Sequence, residues 1–217
     1  MTSTALIDEL RARVQSMEGR AARTPVATHA ALDGLLTLQS GGVYQAGARS
    51  LAMLLLAGPS AAGAWAAVVG APDFGAQAAA ELGIDLERIV AVPAPTPEPG
   101  TDLVTVLGAL IDVVDVLVVA PTRIGEGDAA RLAARLRERH CLVITWGDWP
   151  RAEARLDWTD VTWHGVGRGH GHLQSRQATL EVRRGQRVTG RRRMWLPDPD
   201  LRVTPVLAAP TPLRSVG

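Results

Sequence analysis

The chain has 217 residues, enough to bury a full hydrophobic core, with 23 basic and 22 acidic side chains and a net charge of +1. All the basic residues are arginine, and one cysteine, Cys141, excludes an internal disulfide and fits a reducing cytoplasm. Residues 1–20 carry Asp8, Glu9, Arg11 and Arg13 where a signal peptide would need an apolar run, and Gly58-Pro59 interrupts the one long small-apolar stretch, Ser50–Val69. A soluble cytoplasmic protein without membrane contact is expected.

The charge is unevenly spread. Residues 1–150 hold 11 arginines against 16 acids, leaving −5, whereas residues 151–217 hold 12 arginines against 6 acids, leaving +6. A basic end of this kind suits a nucleic acid or an acidic protein surface.

In chain order, Leu6, Ile7, Leu10, Val14 and Met17 fall at helical spacing and predict an amphipathic N-terminal helix, followed by a polar break at Arg20–Pro25. Such a stripe suits docking on the protein's own sheet or on a neighbour. Strands and helices then alternate. Strands are expected at Val43–Gln45, Trp65–Val69, Ile89–Val92, within the branched-aliphatic run at 113–120, and at Cys141–Trp146. Helices are expected at Arg49–Leu56, Gly75–Leu82, Thr101–Ile111 and from an Asp128 cap through His140. Alternation at this spacing implies a mostly parallel sheet flanked by helices. The last third changes character. Strands at Asp160–His164, Gln177–Arg184 and Arg191–Leu196 follow one another without helices, which predicts an antiparallel C-terminal extension. The expected layout is residues 1–25 as helix and linker, 26–196 as one core domain, and 197–217 as a poorly ordered Pro/Ala-rich tail.

"GGVYQAGARSLAMLLLAG", residues 41–58, has the strand, turn and helix of a phosphate loop but not its chemistry. Such a loop needs G-x-x-x-x-G-K-[ST], with backbone amides cradling phosphates, Lys neutralising them and a hydroxyl on Mg²⁺. Counting from Gly42 to Gly47 puts Ala48 and Arg49 where Lys and Ser/Thr belong; the alternative register, Ala48-Arg49-Ser50, has Val43 in place of the first glycine. Arginine is longer and planar and does not replace Lys at such a site.

Three further groups stand out. In "GVGRGHGH", Arg168, His170 and His172 sit in a glycine-rich loop suited to a nucleic-acid backbone or a protein partner, or to no ligand at all. Arg183, Arg184, Arg187, Arg191, Arg192 and Arg193 flank a turn and form either a phosphate-tracking hairpin or a solvated strand edge. Trp146, Trp149, Trp158, Trp163 and Trp195 crowd the last third; core packing is expected of Trp146 and Trp163, and a partner surface of Trp149 and Trp195. Neither His170-x-His172 nor His140-Cys141 has the paired ligands of a zinc site, so no metal is expected.

The order of these pieces resembles the core of the RecA recombinase family. "ATHAALDGLLTLQSGGVYQAG" is similar to that family's entry segment and first strand, and "AAVVGAPDFGAQAAAELGIDLERIVAVPAP" to its second strand, helix and third strand. "VDVLVVAP" resembles its Walker B strand, and "GRGHGHLQSRQATLEVRR" its glycine-rich DNA-binding loop. Within that family the chain is most similar to the short accessory proteins of actinobacterial mutagenic DNA repair, the ImuA-prime type. The resemblance implies a damage-induced assembly with a Y-family polymerase-like adaptor and, indirectly, an error-prone replicative-type polymerase, with single-stranded DNA as a further expected contact. It also implies a Walker B acid near Ala120 and a water-activating Glu near Pro72, and this sequence has neither. The reading is therefore a non-enzyme without cofactor, with Arg168, His170, His172, Arg176, Arg183, Arg184, Arg187, Arg191, Arg192, Arg193 and Trp195 as the partner or nucleic-acid residues. The alternatives are a degenerate RecA-like ATPase and an SOS-type cell-division inhibitor, which shares the short core.

Overall fold

The computed structural model describes residues 23–94, 102–120, 124–166 and 171–206. The N-terminal amphipathic stripe lies outside the described residues.

A nine-stranded sheet organises the molecule. Its first strands in the chain are β3 (Val43–Ala46), β4 (Ala66–Val69), β5 (Ile89–Val92), β6 (Val116–Val119) and β7 (Leu142–Thr145). They continue as β8 (Ala154–Val166), β9 (Gly171–Arg184), β10 (Arg187–Trp195) and β11 (Thr204–Pro205). Across the sheet the order is β11-β10-β9-β8-β3-β7-β6-β4-β5. From β5 to β8 every pairing is parallel; β8, β9, β10 and β11 pair antiparallel. The expected fold class, a mostly parallel sheet flanked by helices with an antiparallel C-terminal extension, is the one observed.

β4, β6 and β7 are buried at every position, as strands covered on both faces must be. One face packs against α1 (Arg49–Ala61) and α2 (Ala76–Glu81), the other against α3 (Leu103–Ile111) and α4 (Glu126–Arg139). α1 is the central helix: Leu51, Leu54, Leu55 and Leu56 are fully buried, each stabilising the fold by roughly 1.5–3 kcal/mol.

Three boundaries differ from expectation for local reasons. α1 does not stop at Gly58-Pro59. Pro59 sits in its last turn, and Gly58 is the point where Thr28 and His29 cross the helix, a Cβ there lying 2.5 Å from their backbone. α4 starts at Glu126 with Gly125 as its N-cap, so Asp128 lies inside the first turn, where a carboxylate complements the helix dipole. His140 closes that helix in the left-handed region at φ 57°. The third boundary lies beyond Pro197. There the Asp198 carboxylate accepts the backbone amides of Asp200 and Arg202 and the Thr204 hydroxyl, and this turn delivers β11 to the edge of β10. Thr204 and Pro205 thus close the edge of the sheet, with residues 197–203 as the turn that leads to them.

A small ladder of β1 (Pro25–Val26) and β2 (Leu38–Gln39) precedes the main sheet. Between them His29 Nδ1 caps a short 3-10 turn, Ala30–Leu32, by accepting from the Ala31 amide. Burial holds the His29 pKa below its usual value, which keeps the ring an acceptor.

Candidate functional site

The turn from β3 into α1 is the place where a phosphate would be held, and here it is occupied by the protein itself. The Gly47 amide donates to the Leu156 carbonyl at 2.7 Å. A Cβ on Gly47 would stand 2.0 Å from Asp157 Oδ1, so the Asp157 carboxylate lies directly on the loop backbone. Arg155 fixes that carboxylate through two bonds, Nε to Oδ2 at 2.8 Å and Nη2 to Oδ1 at 3.2 Å. An anion already sits against the loop, and a second one would be repelled.

The remaining positions are equally committed. Ala48 is the N-cap of α1 and offers no side-chain cap. Arg49 turns away from the loop to Asp73, pairing Nη2 with Oδ2 at 2.6 Å and donating Nη1 to the carbonyl at 2.9 Å. The Ser50 hydroxyl accepts from Trp158 Nε1 at 3.1 Å and from Arg176 Nη2 at 3.4 Å. Gly42 lies one turn earlier, where a Cβ would crowd the Gln39 carbonyl and the Tyr44 ring at 2.9 Å. Tyr44 beside it is fully buried. Its hydroxyl accepts from the Gln39 amide and donates to Glu153, and burial together with the Glu153 charge pushes its pKa up to about 12.

At the ends of β4 and β6, Gly70 and Ala120 face one another with no acid between them: a Cβ on Gly70 would touch the Ala120 methyl at 3.4 Å. Ala120 is itself buried. Among the described residues no three His, Cys, Asp or Glu side chains are grouped to hold a metal ion, and no helix is long and apolar enough to cross a membrane.

The arginines of the last third divide by the pleat of the sheet. Arg183 and Arg191 reach the same carboxylate, Glu181, which is almost fully buried between them. The two guanidinium groups, Arg191 first, hold its pKa below the usual range. Arg193 lies on the same face and donates to the Asp160 carbonyl at 2.9 Å and to Gln177. Arg192 and Arg176 point to the α1 side. Arg192 donates to the Ala31 and Asp33 carbonyls at 3.0 and 2.8 Å, pinning the N-terminal segment to β10. Arg176 is half-buried over the rings of Trp158 and Trp163, at 5.6 and 5.2 Å, and donates to the Leu196 carbonyl at 2.9 Å. Burial lowers its pKa. Arg184 and Arg187 face each other at the β9–β10 turn and are exposed. His172 is exposed on β9, while Arg168 and His170 lie outside the described residues.

Two tryptophans are exchanged relative to expectation. Trp149, read as a partner-surface residue, is only 5% exposed and fills the core between β3 and α4. There it also lines a cleft of about 240 Å³ with Arg23, Arg137, Arg151, Glu126 and Glu153. Trp163, read as core, is 47% exposed. Trp146 packs on the core as expected, and Trp195 is half-buried with its ring 5.2 Å from His164. Sequence reasoning missed Asp157 and Glu181. Glu181 had a signal, since it is the lone acid in "LEVRRGQRVTGRRR"; Asp157 had none.

Residues 31–151, which hold the closed loop and most of the parallel sheet, match the family described as the MT3502 N-terminal domain. This chain belongs to that family. The uncharacterized protein Rv3395c of Mycobacterium tuberculosis is 42% identical over 113 residues, 51% of this chain and 53% of that protein. The chain therefore spans about half the length of the curated relative it matches. Among solved structures, the flagellar accessory protein FlaH of Methanocaldococcus jannaschii aligns over 78% of this chain and 91% of its own, with 9% identity and a TM-score of 0.43. A likeness that shallow says nothing about activity. The antiparallel extension from β8 onward lies beyond the matched residues of the MT3502 N-terminal domain.

Proposed function

We propose that the chain is a non-catalytic accessory protein of damage-induced mutagenic translesion DNA synthesis, a RecA-like platform stripped of nucleotide chemistry that works in the cytoplasm by holding protein partners. The observation that carries the non-catalytic part is the carboxylate of Asp157 seated on Gly47. The commitment of Arg49 to Asp73 and of Ser50 to Trp158 and Arg176 supports it. ATP hydrolysis needs a cradle of amides, a cation on the phosphates and a metal ligand, and each of these positions is engaged within the fold. The repair assignment rests on the resemblance of the segments quoted above to the ImuA-prime type. It implies a Y-family polymerase-like adaptor as direct partner and an error-prone replicative-type polymerase held through it.

Single-stranded DNA is the secondary contact of this reading. The surface for it is the outer face of β9 and β10, where Arg183, Arg191 and Arg193 line up with Arg184 and Arg187 at its end. Each of the first three already bonds within the protein, so the affinity expected is modest and strongly salt-dependent. The experiment is a pull-down of the adaptor by the purified chain, paired with an ATPase assay with and without single-stranded DNA. Adaptor retention without turnover supports the reading; DNA-stimulated turnover, or no adaptor binding, overturns it.

A further inference from the structure

A cleft of about 240 Å³ opens beside Val43, at the end of β3 opposite its turn into α1. Glu126, Ala129, Ala130, Ala133 and Arg137 stack along α4 at spacings of three and four residues and form one wall. The segment that carries the chain from β7 to β8 forms the other, through Trp149, Pro150 and Arg151. Gly41 closes one end. At φ 68° its turn lies so close to α4 that a Cβ would stand 2.8 Å from the Arg137 Cα.

Two donors in this cleft are uncommitted. Glu153 receives Arg23 and, at 3.3 Å, the Tyr44 hydroxyl, while Glu126 pairs with Arg151 at 3.5 Å. Arg137 is half-buried and pairs with no carboxylate among the described residues, which leaves the cleft one net positive charge. Trp149 supplies the second donor. The residue is only 5% exposed, and its indole N–H donates to no described group. Among the described residues no buried side-chain nitrogen is without a partner. The N–H therefore belongs to the small part of Trp149 that reaches the surface, and the surface Trp149 lines is the cleft.

We propose that this cleft binds a free, compact aliphatic monocarboxylate, held through its oxygens by Arg137 and the Trp149 N–H and through its hydrocarbon body by Ala130, Ala133 and Pro150. The proposal goes beyond the protein-holding role and does not depend on it. A guanidinium without an acid and an indole N–H without an acceptor both call for oxygen acceptors, and the guanidinium fork matches a carboxylate. Charge sets the valence: one net positive charge suits a monoanion, and Glu126 and Glu153 repel a dianion more strongly. Volume sets the size. About 240 Å³ is the space of roughly eight waters, too little for a nucleotide. Bound there, the ligand would tie α4 to the segment that leads into β8 and raise the melting temperature.

The test titrates the isotope-labelled full chain with 4-methylpentanoate and follows the Trp149 indole N–H, assigned by its loss in Trp149→Phe. Parallel titrations use the neutral 4-methylpentanamide, isopentyl phosphate and an N-acetylated tetrapeptide ending in a free leucine carboxylate. The proposal expects a saturable shift of that N–H with the carboxylate and at least about ten-fold weaker binding of the amide and the phosphate. The peptide should bind no more tightly than the small carboxylate. Arg137→Gln should weaken binding at least about ten-fold, the loss expected of one charge-assisted hydrogen bond. Arg131→Gln, on α4 but outside the cleft, should change it less than about two-fold. Should Arg137→Gln melt early, Ala130→Leu, which fills the cleft from an exposed position, is to abolish the shift. An indole N–H that stays put or never saturates, equal binding of the amide, or tighter binding of the phosphate or the peptide each overturns the proposal. Wild-type affinity in folded Arg137→Gln or in Ala130→Leu overturns it as well.

Discussion

Arg49 and Asp73 are bonded to each other: Nη2 meets Oδ2 at 2.6 Å and Nη1 donates to the Asp73 carbonyl at 2.9 Å. Arg49 stands where one register of the phosphate loop would put its cation, and its guanidinium is held instead by Asp73, in the segment that follows β4. Both side chains are substantially exposed, and an exposed pair of this kind is worth at most about 1 kcal/mol. Asp73→Ala should therefore lower stability by no more than about 1 kcal/mol. It should also leave nucleotide affinity undetectable, because Asp157 still covers Gly47. Urea denaturation and titration with a fluorescent ATP analogue check the two halves separately.

Gly58 gives a prediction whose sign separates propensity from packing. In an isolated helix Gly→Ala gains about 1 kcal/mol. Here a Cβ would meet the Thr28 and His29 backbone at 2.5 Å. Overpacking against backbone costs typically 1–3 kcal/mol, so Gly58→Ala should destabilise, read as a lower urea midpoint with unchanged slope.

What the sequence made legible follows the strength of local patterning. The run at 113–120 announced a buried central strand because only a strand covered on both faces tolerates unbroken branched aliphatics, and β6 is that strand. The Gly58-Pro59 break misled because the glycine answers to a crossing segment 30 residues upstream, which no local rule sees. The two-residue strands β1 and β2 are too short to show alternation, and β11 depends on a turn organised by one carboxylate, Asp198. Trp149, between Asp148 and Pro150, reads locally as a loop residue yet packs among the aliphatics of β3 and α4, whereas Trp163 reads as a strand residue but lies on β8 beyond its last pair with β3, where it is exposed. At the candidate site, the absence of Lys was plain, but the side chain that fills the loop comes from a strand more than a hundred residues away.

The pH dependence has a definite sign. Guanidinium groups hold Glu181 and Asp112 below the usual carboxylate range, through Arg191 and Arg183 in one case and Arg135 and Arg139 in the other, and backbone amides do the same for Asp198. A native pKa below the unfolded one means that the unfolded chain binds more protons as pH falls, so the contribution is present above the usual carboxylate values and lost on acidification through them. The urea midpoint should hold between pH 8 and about 5 and decline below. Glu181→Gln should start lower and decline less steeply over the same range.

Cys141 gives the opposite limb. It is fully buried, and burial, aided by the Asp115 charge, pushes its thiol up to about 12. The thiolate is the reactive form, so native protein at pH 8 should resist a thiol-specific reagent and react at once in urea. A folded pKa above the unfolded one contributes stability that is full below the unfolded value and lost as pH rises toward about 12. Cys141→Ala should flatten that alkaline loss.

The most direct measurement of the closed loop is calorimetric titration of the purified chain with Mg-ATP, repeated on Asp157→Gly. The account predicts no binding heat for the wild-type chain at millimolar nucleotide and no ATPase activity in either protein, with or without single-stranded DNA. Saturable micromolar Mg-ATP binding by the wild-type chain, abolished by Arg49→Ala, would contradict it.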